Sequence, residues 1–386
     1  MEVRAFAMPR LGAQLSQKEA FARIRLLRSP NVGPVTYRQL LARFGAATEA
    51  LDALPDLASR GKARYRPAPA ARIEREIEGV RAAGARYLFH DQPDYPELLA
   101  EISSAPPIIT CRGNLALASK PCVAMVGARN ASAASVKLAR DFASELAASG
   151  FTVVSGLARG IDGAAHEGAF PATIGVIASG IDIAYPPQHE ELQERIATDG
   201  LLIAEQPPGT EPRGRHFPNR NRIIAGLASG TLVVEAAPKS GSLITARLAA
   251  EAGREVMAIP GSPLDTRSLG CNQLIRDGAV LISTPADVIE LLETFTGAPR
   301  SAYRLAEEPA DFDYTELRKL EWGEAKADRS RDIAALLTKA PIGIDELVRQ
   351  SGQSAAEVHM ALLELELAGE LERHAGGAVG LAGPTG

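Results

Sequence analysis

The chain has 386 residues, 46% of them hydrophobic and 23% charged, with a formal net charge of −5. That length suits two to three domains at roughly 150 residues each, and the composition is that of an ordinary globular protein. The charge excludes a uniformly basic nucleic-acid binder, so any phosphate-binding role must rest on a local cluster.

Residues 1–15 read as a disordered lead-in. From Ser16 the pattern turns helical: SQKEAFARIRLLRS opens on a capping serine and sets Ala20, Ile24 and Leu27 on one face. Asn31-Val32-Gly33-Pro34 is a turn, VTYRQLLARFG a second helix closed by Gly45, and ATEALDALPDLA a third. Such a turn between short helices suits a packing corner, or a helix-hairpin-helix module that offers backbone amides to a DNA phosphate. Arg60, Lys62, Arg64, Arg66 and Arg72 follow in a proline-broken stretch that reads as a solvated basic loop. A helix from Ile73 to Gly84 completes a helical domain assigned to 16–90.

The character changes at Pro121. CVAMVG, FTVVSG, ATIGVIASG, LLIAEQ, TLVVEA, EVMAIP and AVLIS are short apolar strands, and helical segments separate them. Seven strands alternating with helices specify an α/β fold, a doubly wound and mostly parallel sheet, here assigned to 91–295. Ligands of such sheets bind at the carboxyl ends of the strands. Those ends carry Gly127 and Arg129, Ser155 and Gly156, Ser179 and Gly180, Glu205, Glu235, and Pro260 with Gly261.

Residues 296–330 are polar and aperiodic, a linker. Three short helices and an ELERHAGGAVGLA hairpin then give a winged-helix pattern over 331–386. Its third helix, 354–367, holds Glu357, Glu364 and Glu366 and no lysine or arginine. Eight acidic residues against four basic between 331 and 382 argue for protein contact over DNA-groove contact. The three cysteines, Cys111, Cys122 and Cys271, form no CxxC pair or zinc spacing, which favours a reducing cytoplasm. No apolar run approaches the ~20 residues of a membrane span, and the charged N-terminus lacks the apolar core of a secretion signal.

The chemistry concentrates between Pro212 and Pro260. Arg213, Arg215, Arg220 and Arg222 fall within ten residues, with Phe217 among them. Guanidinium forks recognise phosphates, and an aromatic beside arginines is the arrangement that stacks a base. The competing reading pairs Arg220 and Arg222 with Glu205 or Glu235 and buries Phe217. One helix and one strand later, Lys239-Ser240-Gly241-Ser242 opens a helix and offers amides, hydroxyls and a helix N-terminus to an anion. It lacks Walker spacing, so ATP hydrolysis is not implied. Arg129, in VGARNAS, could meet a phosphate or bridge to a neighbouring loop; the text is not GxGxxG. Asp162 and His166 are four apart on one helix face, an acid/base pair or a cap and a packing histidine. No third partner and no GxSxG elbow accompany them.

Taken together, MVGARNAS, VVSGLARGIDGAAHEGA, SGIDIAYPPQH, the stretch from AEQPPGTEPRGRHFPNRNR to EVMAIPG, and GCNQLIRDGA resemble the DNA processing protein A family, also called Smf, over about 122–282. The resemblance implies a Rossmann-like core with a sterile-alpha-motif-like helical domain in front and a winged helix behind. It implies sequence-independent binding of single-stranded DNA, homodimerisation through the core, loading of RecA onto incoming strands in natural transformation, and displacement of single-strand-binding protein. It implies neither enzymatic activity nor a cofactor. Carried over by motif, the DNA-binding positions are Gly127, Arg129, Arg159, Phe217, Arg220, Asn221, Arg222, Lys239, Ser240, Gly241 and Ser242. The alternative is a nucleotide-processing enzyme of the lonely-guy phosphoribohydrolase type; SGTLVVE at 229–235 is its nearest text to PGGxGTxxE, without the double glycine.

Overall fold

A computed structural model describes residues 15–58, 65–293, 333–338, 340–374 and 377–382. The expected lead-in up to residue 14 and the linker at 296–330 lie outside those residues. Contacts divide the chain into two units. One runs from Glu76 through the α/β core; the other joins the N-terminal helices to the C-terminal segment.

The N-terminal helices are α1 (Gln17–Leu27), α2 (Pro34–Phe44) and α3 (Ala47–Leu57). Ser16 caps α1 by accepting the Glu19 amide at 3.2 Å, and Pro34 opens α2 at the position where a missing N–H costs nothing. Leu26, Leu40 and Leu54 are fully buried between them.

α4 (Ala70–Ala82) leads to β1 (Arg86–Phe89), α5 (Glu97–Glu101) and β2 (Ile108–Gly113). The alternating core follows: β3 (Cys122–Val126), α6 (Ala133–Ala148), β4 (Thr152–Ser155), α7 (Ile161–Ala169), β5 (Thr173–Gly180), α8 (Glu190–Asp199), β6 (Leu201–Gln206), α9 (His216–Leu227), β7 (Gly230–Val233), α10 (Gly241–Glu251), β8 (Glu255–Ala258), α11 (Leu269–Arg276), β9 (Val280–Leu281) and α12 (Pro285–Glu293). The seven expected strands are β3 to β9. The sheet order is β1-β2-β6-β5-β4-β3-β7-β8-β9. From β6 to β9 every pairing is parallel.

Two strands at the front edge went unread. β1 and β2 pair antiparallel with each other, and β2 with β6. IITCRG offers a continuous buried run with no alternation, which does not separate strand from other buried chain. The core therefore takes in residues assigned above to the helical domain, and the boundary expected at 90 lies nearer 76.

Both faces of the parallel strands are covered, as parallel sheets require. Along β3 the residues alternate. Val123 and Met125 join the cluster shared with Phe142, Leu146 and Val288, whereas Ala124 and Val126 join the one with Ile223, Ala246 and Leu274.

The C-terminal segment has α13 (333–336), β10 (Ile342–Gly343), α14 (Ile344–Ser351), α15 (Ala355–Leu367), β11 (Leu371–Arg373) and β12 (Ala378–Leu381). Its sheet, in the order β10-β12-β11, has one strand more than the expected hairpin. The hairpin tip at Gly376 lies outside the described residues, whereas α15 begins with a full capping box between Ser354 and Glu357.

Asp162 and His166 resolve in favour of packing. His166 is wholly buried; its Nε2 accepts the Leu157 amide at 3.2 Å. Nδ1 therefore carries the proton and donates to Thr173 Oγ1 (2.8 Å), which donates to the Val153 carbonyl (2.8 Å). His189 Nδ1 donates to the Leu157 carbonyl at 2.9 Å. The two histidines thus hold Leu157 at φ 56°, a left-handed conformation costly for a residue with a Cβ. Burial drives the pKa of His166 down to about 3, and the charges of His189 and Arg220 push it the same way. The folded pKa lies below the unfolded value of ~6.5, so this stabilisation is complete above ~6.5 and drains as pH falls towards 3. Denaturant melts between pH 6 and pH 4 are expected to lose about 1.4 kcal/mol per pH unit from this one group, and His166→Asn should flatten that slope by one proton.

Candidate nucleic-acid interface

Arg220 lies one turn into α9 and is 6% exposed. Its guanidinium packs with one edge against the turn after β4: a Cβ on Gly156 would come within 1.3 Å of Arg220 Nη1. Only glycine allows that approach. Among the described residues, Nε and Nη1 of Arg220 have no hydrogen-bond partner.

What stabilises the charge is Asp162, in the first turn of α7. Asp162 is buried and accepts the Gly156 amide at 3.1 Å. Burial raises its pKa, which the Arg220 charge and backbone amides at Ala158, Gly156 and Gly127 oppose. Burial likewise lowers the pKa of Arg220 to about 10, with Asp162 acting against the drop and Arg129 adding to it. At neutral pH the guanidinium is therefore charged and desolvated, with Nε and Nη1 unpartnered and closed off from solvent. Burying an ion costs several kcal/mol even after relaxation, and an anion that took those N–H groups would recover part of that cost.

Arg129, exposed at the end of β3, stands over the Phe217 ring with its Cζ 5.1 Å from the centroid. Among the described residues it makes no ion pair. Phe217, in the first turn of α9, also meets Tyr185, ring centroids 5.6 Å apart and tilted by 55°. Tyr185 is 39% exposed. A cation, a phenyl ring and a phenol thus form one partly open surface beside the buried charge, suited to stacking a base. No lysine or arginine accompanies Tyr185 within SGIDIAYPPQH, so nothing in the local sequence marks it as a partner of Phe217.

The second anion-seeking element lies next to α9. Asn221 Nδ2 donates to the Gly241 carbonyl at 3.4 Å, which ties α9 to the start of α10. Lys239 is exposed and takes φ 67° as the chain turns into that helix. Ser240 caps the helix, accepting from the Ser242 amide at 3.4 Å and sharing a hydroxyl contact of 2.8 Å with Ser242. Gly241 is exposed, with open space where a Cβ would stand. Arg159 is exposed at the turn into α7.

Two of the expected positions have other work. Arg222 is two residues past Arg220, some 200° round the helix at 3.6 residues per turn. Its Nη2 pairs with Glu205 and its Nη1 donates to the Ser104 carbonyl, both at 2.5 Å. The salt-bridge reading thus holds for Arg222, whereas the carboxylate whose charge acts on Arg220 is Asp162. Gly127 is a packing requirement: a Cβ there would lie 2.6 Å from Ile161 Cγ1.

The N-terminus of α6, where a dinucleotide fold would seat its phosphates, is already occupied. Buried Glu235, just past β7, accepts from the Ser132 amide at 3.1 Å and from the hydroxyls of Ser132 and Ser135 at 2.8 Å each. That carboxylate satisfies the helix end internally.

Comparison with known proteins bears on what this surface is for. Residues 86–293 match the family model described as DNA recombination-mediator protein A, residues 17–79 a DprA-like N-terminal HHH domain, and residues 321–377 the DprA winged helix domain. Protein Smf of Synechocystis is 36% identical over 336 residues, covering 78% of this chain and 81% of its own. The DNA processing protein DprA of Streptococcus pneumoniae is 47% identical over 206 residues, 52% of this chain and 71% of its own. The X-ray structure of the latter aligns with a TM-score of 0.60 at 35% identity, covering 72% of this chain and 98% of that one. A structure of DNA processing protein A from Helicobacter pylori, whose subject is its single-stranded DNA binding mode, aligns at 0.50 and 30% identity, over 55% and 99%. The α/β core, the helical N-terminal domain and the C-terminal winged helix all match that family, and the chain belongs to the DprA/Smf family of DNA recombination-mediator proteins.

Proposed function

We propose that this protein binds single-stranded DNA at the carboxyl ends of β3, β4 and β7 and acts as a recombination mediator. The observation that carries the reading is Arg220: a buried guanidinium, charged at neutral pH, with two N–H positions unpartnered among the described residues. A phosphate meets the requirement. Arg129, Arg159 and Lys239 supply exposed positive charge around it, and Phe217 with Tyr185 supplies a ring surface that any base can stack on. Neither feature reads base edges, so binding is independent of sequence. The single-stranded DNA binding mode reported for the Helicobacter pylori relative supports the same assignment.

In this reading the protein works in the cytoplasm as a homodimer formed through the core. It loads RecA onto incoming single strands and eases the departure of single-strand-binding protein. It has no cofactor and performs no covalent chemistry. Among the described residues no helix is long and apolar enough to cross a membrane. Nothing in the geometry favours the phosphoribohydrolase alternative: Glu235, the acid closest to its motif, is committed to Ser132 and Ser135.

Arg129→Ala/Lys239→Ala removes two exposed cations, so the fold should keep its Tm. Fluorescence anisotropy with an oligo-dT probe is expected to show at least tenfold weaker binding. The slope of log K against log salt should shrink by ~1.4, or about 0.7 per lost phosphate contact on a single strand. Unchanged affinity and slope would place the DNA elsewhere. Incubation with nucleoside monophosphates should release no base beyond the protein's own stoichiometry; turnover would put the enzyme reading ahead.

A further inference from the structure

The two terminal segments each carry an element of a DNA-binding type: the hairpin turn at 31–34, and α15, the third helix of a winged helix. A groove-reading helix must keep one face in water. α15 keeps none: of its 13 residues, not one is exposed.

The burial has two separate causes. Val358, Ala361, Leu362 and Leu365 form the inner face, in one cluster with Ile333, Leu347, Leu371 and Val379 of the winged domain itself. Ala356, Met360, Leu363 and Leu367 form a second stripe at spacings of four, three and four, which keeps them on one side of a helix. That stripe belongs to the apolar cluster of α1 to α3, with Leu26, Tyr37, Leu40 and Leu54.

Polar contacts support the match. Asn31, at φ 59° in the hairpin turn, donates from Nδ2 to the Leu367 carbonyl at 3.0 Å, near the end of α15. Arg43 of α2 reaches Met360 Sδ with Nη1 at 2.8 Å. Burial disfavours the charge on Arg43, and the buried carboxylate of Glu364 opposes that effect.

We infer that the outward face of α15 is a protein-docking surface whose occupant is the α1–α3 module of the same chain, a contact that withdraws α15 from nucleic acid. The acidic character of the winged helix follows from this role. A surface that never meets phosphate needs no cations, and its one buried carboxylate on this side faces an arginine of its partner.

A cysteine pair tests the contact in the full chain. A Cβ on Gly369 would lie 3.3 Å from Asn31 Nδ2, and the native cysteines are all buried. Asn31→Cys/Gly369→Cys is expected to form a disulfide within one chain under mild oxidation, seen as a fast-migrating band of monomer mass. A link only between two copies, or none in a chain with wild-type Tm, would overturn the inference. Hydrogen exchange gives a second reading. In Met360→Glu/Leu363→Glu, exchange across 17–57 should accelerate at least tenfold while β11 and β12 stay protected, because the winged core uses the other face. No acceleration across 17–57 would contradict the contact. Should β11 and β12 lose protection as well, the milder Asn31→Ala decides: faster exchange at 29–34 and 365–369 supports the contact, and none overturns it.

Discussion

A charged guanidinium held out of water with part of its hydrogen-bonding capacity unused is the constraint around which this core is built. Arg220 needs room for the edge of its guanidinium, which Gly156 supplies by having no side chain. It needs a counter-charge, which Asp162 supplies, itself kept in place by the Gly156 amide. The turn between them needs a left-handed residue, and Leu157 takes that conformation because His166 and His189 hold its amide and carbonyl. Each device is costly alone, and together they fix the position of one donor. Pre-organised donors of this kind give an anion its hydrogen bonds without a further ordering cost.

The placement of Glu235 explains why the site lies where it does. In a doubly wound sheet the obvious anion position is the helix N-terminus after the central strand. Here the protein's own carboxylate fills that position and caps α6 through two serine hydroxyls and an amide. In the function proposed above, anion recognition moves one loop across, to the β4–α7 turn, α9 and the start of α10. A long polymer suits such an arrangement better than a small nucleotide does. On the proposed reading the buried charge takes one phosphate, while the exposed cations and rings around it run along the surface.

Much of the core was legible in its sequence because buried parallel strands announce themselves as short apolar runs between amphipathic helices. β1 and β2 were not, since strands of four and six residues with no alternation leave no periodic trace. At the site, the sequence located the cluster but could not sort its members. Arg220 and Arg222 look alike two residues apart, and only the 200° between them on α9 sends one against Gly156 and the other to Glu205. Tyr185 enters from a different loop, a long-range placement that local pattern does not encode. In the terminal unit, α15 carried its own clue: a helix that is apolar on every side is a buried one.

The measurement that bears most directly on this account is equilibrium binding of a fluorescent dT oligonucleotide to Arg220→Met/Asp162→Asn, with Tm taken in parallel. Removing both charges together avoids a lone buried ion, so the fold should persist. Loss of the charged donor is expected to weaken binding by about tenfold to a hundredfold, the worth of one charge-assisted hydrogen bond at ~1.5–3 kcal/mol. Wild-type affinity in a chain of unchanged Tm would contradict it and leave the buried arginine a matter of packing alone.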